Sequence, residues 1–109
     1  MSSQAEMEKK RRTIRRVKEK KEAYQKLSAN LFEPAGKNPY YHNTHSIRNL
    51  AELMERLDAF TNDEAHWLAS WIEYLGDNES AVRIRARPEK FKEIIRDRYN
   101  ELNEFYHPP

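Results

Sequence analysis

A chain of 109 residues, 38% apolar and 35% charged, has room for one domain with one modest core and leaves much of its length in water. With no cysteine it has no disulfide or thiolate chemistry, and with no apolar leader and no run of about 18 apolar residues it is expected to be a cytoplasmic protein without a membrane partner. The net charge of +2 is unevenly divided: residues 1–26 hold ten Lys/Arg against four Glu (+6), and residues 27–109 hold ten against fourteen Asp/Glu (−4).

Two glycines, Gly36 and Gly76, are too few for the turns of an all-β domain. The expected class is therefore all-α, a small three- to four-helix bundle with a long basic N-terminal helix. Residues 1–33 would form that helix and residues 34–109 a helical body within the same single domain. Residues 4–32 lack Pro and Gly and are rich in Glu, Lys, Arg and Ala, which favour helix. Met7, Ile14, Val17, Tyr24, Leu27 and Leu31 recur at spacings of three, four and seven, a narrow apolar stripe interrupted by Lys10 and Lys21. Such a helix would be about 42 Å long, so its first half either projects or pairs with another chain, a second copy included.

Pro34, Gly36 and Pro39 end this helix in a turn-rich connection. A second helix is expected from Thr44 or His45 to Phe60, capped by Asn43 or Thr44, with Ile47, Leu50, Leu53, Met54 and Leu57 inward. Thr61 and Glu64 spell a capping box opening a third helix to Leu75, with Trp67, Leu68, Trp71, Ile72 and Leu75 inward and Gly76 at its C-terminal stop. Residues 77–80 read as a loop. Val82, Ile84 and Ala86 alternate with Arg83, Arg85 and Arg87, but an isolated strand has nothing to pair with, so helix or extended linker is expected there. Pro88 suits the first position of a last helix whose buried side carries Phe91, Ile94, Ile95, Leu102 and Phe105, before a frayed end at His107-Pro108-Pro109.

The strongest chemical signal is the basic segment: Lys9, Lys10, Arg11, Arg12, Arg15, Arg16, Lys18, Lys20 and Lys21. Guanidinium groups bind phosphates bidentately, each neutralised phosphate releases counterions, and a basic helix can enter a DNA groove or fold onto structured RNA. A solvated helix face with Glu19 and Glu22 pairing nearby lysines is the bland alternative. Arg83, Arg85, Arg87, Lys90 and Lys92 could extend the basic surface, though a solvent face is preferred. Trp67 and Trp71, four apart, read as core. Tyr40, Tyr41 and His42 form a secondary surface. His42 and His45, three apart, are the candidate ligands if any metal binds, but a metal site needs further ligands, and no cofactor is expected.

The run PYYHNTHSIRNLAELMERL resembles the opening motif of HD-domain metal-dependent phosphohydrolases, and LASWIEYLGDNESA is similar to a later segment of the small members; together they span about residues 30–82. The resemblance implies His42 in the general-acid position and His45 as first metal ligand. The chain departs from the pattern where the metal-binding His-Asp pair would stand, at Ile72-Glu73, so the resemblance implies at most a degenerate relative.

These readings favour a non-enzymatic regulator or inhibitor that binds nucleic acid or a nucleoprotein complex through the basic segment. The alternatives are a protein–protein adaptor using the stripe Ile14, Val17, Tyr24 and Leu31, and a degenerate phosphohydrolase.

Overall fold

The computed structural model describes residues 3–106, with side chains described from Lys18 onward. The fold is mostly helical, with one small hairpin: α1 (Ser3–Phe32), β1 (Tyr40–His42), β2 (His45–Ile47), α2 (Leu50–Arg56), α3 (Ala65–Leu75), α4 (Asn78–Ala86) and α5 (Phe91–Asn103), with single 3-10 turns at Leu57–Ala59, Asn62–Glu64 and Pro88–Lys90. Met7, Ile14, Val17 and the bases from Lys9 to Arg16 precede the described side chains, and the frayed end expected at His107 lies outside the described residues.

The core forms where the second half of α1 meets the remaining elements. Leu31, Leu53, Leu68, Ile84 and Leu102 are wholly buried, one from each of the five helices. Full burial of such a side chain contributes about 1.5–3 kcal/mol. Phe32 joins α1 to α5, its ring 5.5 Å from Tyr99 and 4.9 Å from Tyr106.

The segment expected to begin a helix at Thr44 or His45 is instead an antiparallel hairpin pairing Tyr40 with Ile47, Tyr41 with Ser46 and His42 with His45. Asn43 and Thr44 are its two turn residues, both at positive φ (51° and 62°), as a tight hairpin turn of the primed type requires. The second helix starts later, at Leu50, capped by the Asn49 side chain, which accepts from Glu52 N at 2.9 Å. The hairpin packs on the core: Tyr40 and His42 lie on Phe60, and Tyr40 also meets Trp71 edge-on.

The capping box of Thr61 and Glu64 is present and leads into α3, which stops at Gly76 with φ 121°. Gly76 N–H donates to Glu73 O at 2.9 Å and Asp77 N–H to Ile72 O at 3.0 Å, the paired bonds of a Schellman stop. Residues 77–80 are not a loop: Asp77 accepts from Ser80 N at 3.1 Å and caps α4, which begins at the next residue. Helix is therefore the outcome for the alternating segment, where Ala81 and Ile84 are buried and Val82 is exposed. Pro88, expected as the first residue of the last helix, instead opens a 3-10 turn, and α5 begins at Phe91. Phe91, Ile95 and Leu102 are buried, while Ile94 and Phe105 are half-buried.

Candidate polyanion-binding surface

Of the nine candidate bases, Lys18, Lys20 and Lys21 lie among the described side chains, and all three are exposed. Among the described residues none of the three takes part in an ion pair. Lys20 Nζ sits 5.4 Å from the centre of the Tyr24 ring, within range of a cation–π attraction. One turn later the apolar stripe becomes part of the body: Tyr24 and Leu27 are half-buried and Leu31 is wholly buried. Tyr24 packs on Phe105 with ring centres 5.3 Å apart. Of the stripe assigned to a partner helix, Leu31 is committed to this chain's own core and Tyr24 in part. Lys20, Lys21, Tyr24 and Phe105 line an open cleft of about 350 Å³.

The second group of bases behaves differently. Arg83 pairs with Glu79, Arg85 with Glu73 at 2.6 Å, Lys90 with Glu93 at 3.6 Å, and Arg96 with Asp58. The Arg85 hydrogen bond, reinforced by its charge, holds the Glu73 carboxyl below its ordinary range. Arg83, Arg85 and Lys90 are thus matched by this chain's own carboxylates, whereas Arg87 is exposed and Lys92 donates to the backbone Asp58 O at 3.4 Å, neither in an ion pair among the described residues.

The proposed secondary surface divides. Tyr41 points outward and is 76% exposed, whereas Tyr40 is half-buried and His42 is only 8% exposed. His42 stacks on Phe60 at 3.9 Å, and its Nε2 lies 2.8 Å from Glu64 Oε2. Glu64 Oε1 accepts from Thr61 N at 3.0 Å and from Thr61 Oγ1 at 3.1 Å. The backbone hydrogen bond from Thr61 is the main cause that keeps the Glu64 carboxyl below its ordinary range; partial burial opposes it, and the Thr61 hydroxyl and His42 add to it. Burial, with the Glu64 charge behind it, pushes the Tyr40 phenol up. His42 therefore fastens the hairpin to the start of α3 and offers no recognition surface. His45 faces it across the ladder but is exposed, and no group of three or more His, Asp or Glu able to hold a metal occurs among the described residues.

Trp67, expected inward, is 67% exposed, while Trp71, one turn on, donates its indole N–H to Asn38 O at 3.0 Å. Sequence reasoning missed the contact of Phe105 with Tyr24 of α1. Its signal was weak, a lone aromatic placed on the buried side of the last helix. It also missed Arg98, a charged residue at an apolar-stripe position between Ile95 and Leu102. Arg98 is buried, bonded to Asp77, and its guanidinium carbon lies 5.6 Å from the Tyr24 ring. No helix among the described residues is long and apolar enough to cross a membrane. The chain matches no protein-family model, no curated protein and no solved structure to which it was compared.

Proposed function

We propose that this chain is a non-enzymatic binding protein that docks a polyanion, nucleic acid or a nucleoprotein complex, on its basic N-terminal helix. The observation that carries the reading is the division of charge, +6 in residues 1–26 against −4 in the rest. Half of the body's ten bases, Arg83, Arg85, Lys90, Arg96 and Arg98, pair with its own acids, and the body as a whole is acidic, which leaves the N-terminal segment as the place where added negative charge gains most. Arg11, Arg12, Arg15 and Arg16 supply bidentate phosphate contacts, and Lys18, Lys20 and Lys21 continue the positive surface to the edge of the body.

Salt titration tests the reading. Affinity for a nucleic acid should fall linearly on a log–log plot against salt, with a slope of about −0.7 to −0.9 per phosphate neutralised. Changing Arg11, Arg12, Arg15 and Arg16 together to Gln should flatten that slope by about 3 while leaving the thermal unfolding of the body unchanged. Unchanged affinity and slope in that variant would refute the assignment.

A further inference from the structure

We propose that the Tyr24–Phe105 shelf stacks an unpaired nucleobase, so that the polyanion is a single-stranded nucleic acid. The inference rests on the polyanion reading above and narrows it.

The cleft of about 350 Å³ is lined by two aromatic rings and two lysines, at the point where the basic helix meets the body. The rings lie 5.3 Å apart and are tilted by 50°, and both residues are half-buried, so each keeps ring surface towards solvent. Tyr24 is held from the buried side. Arg98, 5% exposed, has its guanidinium carbon 5.6 Å from the ring and is itself fixed by two hydrogen bonds to Asp77. A ring braced in this way loses little freedom when a ligand arrives, and pre-organisation of that kind raises affinity.

On the solvent side, Lys20 Nζ occupies the neighbourhood of the Tyr24 ring at 5.4 Å. Lys20 is an exposed residue on a flexible stem. An arriving base can take its place over the ring while the ammonium moves to the adjoining phosphate, and Lys21 supplies a second cation at the same rim. A cation beside an aromatic face is the pairing that single strands use, with phosphates neutralised and a base stacked. A duplex has no free base face to offer, because its bases are stacked on one another. Lysines along a helix would suffice for a duplex, and the apolar floor of the cleft would then go unused. The positive rim also favours a phosphodiester strand over an apolar peptide segment.

The test compares three probes carrying equal numbers of phosphates on the full chain: a 12-nucleotide single strand, the same backbone without bases, and a duplex. The intact single strand should bind about tenfold or more tighter than the abasic strand, the usual worth of one stacked base. Tyr24→Leu and Phe105→Leu should each remove most of that advantage, leaving abasic binding and the salt slope unchanged. Should Tyr24→Leu lower the folding midpoint, the Phe105→Leu variant and the abasic comparison on the unaltered protein still decide. Equal affinity for the single strand and the abasic strand overturns the shelf while the polyanion reading stands. Preference for the duplex does the same. Binding to none of the three probes at low salt overturns both.

Discussion

Arg98 and Asp77 are joined in the core by two parallel hydrogen bonds, Nε to Oδ2 at 2.9 Å and Nη2 to Oδ1 at 3.0 Å, with side chains only 5% and 1% exposed. Three duties meet at Asp77. Its backbone N–H closes the stop of α3, its Oδ1 caps α4, and its carboxylate fixes Arg98 on α5. Burial alone would lower the Arg98 pKa, but the hydrogen bonds and charge of Asp77, with Glu101 and Glu79, outweigh it and raise the guanidinium above its ordinary value. Arg98 also backs Tyr24, so the pair connects the junction of two helices to the edge of the basic segment.

Replacing Arg98 by Met should therefore destabilise the fold by about 3–5 kcal/mol, because the Asp77 charge is left buried without its partner. Asp77→Asn retains an oxygen to cap α4 but loses the ion pair, and it should cost a similar amount. The double variant should cost clearly less than the sum, since neither charge is then stranded. Urea midpoints of the four proteins check this; simple additivity would mean that the two residues act independently.

Arg98 also shows what could be read from the sequence and what could not. Its position, three after Ile95 and four before Leu102, lies on the apolar stripe, but its charge kept it off the expected buried side. What makes its burial tolerable is a partner the sequence does not point to, because Asp77 lies 21 residues away and no local rule links them. Features set by neighbours in the chain were legible: the Thr61–Glu64 box and the Gly76 stop. The hairpin was not, since Asn-Thr is a poor version of the Asn-Gly turn and its strands depend on Phe60 and Trp71 for support. Trp67 misled because it shares a helix with Trp71, yet only Trp71 meets Tyr40 and Asn38. Half of the proposed shelf was legible in the stripe through Tyr24; the other half comes from the chain's far end, where Phe105 meets it.

The turn residue Thr44 offers a gain. It holds φ 62° with a β-branched side chain, in the left-handed region that costs L-residues about 1–2 kcal/mol. Thr44→Gly removes that cost and creates Asn-Gly, partly offset by the freer unfolded chain, so a net stabilisation of about 0.5–1 kcal/mol is expected. A rise in the urea midpoint with an unchanged m-value is the supporting result.

Gly76 predicts the opposite sign. A Cβ there would lie 3.5 Å from Asn30 Nδ2, an ordinary contact, so space does not forbid a side chain. The backbone does, with φ at 121°. Gly76→Ala should destabilise by about 1–2 kcal/mol through backbone strain at the α3–α4 junction. Thermal unfolding measures it; a neutral effect would show that the junction relaxes to another turn.

The latch between the hairpin and α3 should respond to acid through Glu64. Its carboxyl is held below the ordinary range by Thr61 first and His42 after it, so the folded state favours the ionised form more than the unfolded chain does. A group shifted in this direction contributes stability that is fully present above the unfolded value, about 4.3 for Glu, and is lost as pH falls through the lower folded value. Unfolding midpoints of the wild type and Glu64→Gln should therefore differ most near neutral pH, and below about pH 4.3 the gap should narrow. Repeating the series in His42→Phe, which keeps the ring against Phe60 but cannot bond Glu64, isolates the carboxylate. In that background the narrowing should persist, because the Thr61 backbone hydrogen bond remains as the leading cause. A gap that widened on acidification would mean that Glu64 is ionised less readily in the folded chain than in the unfolded one.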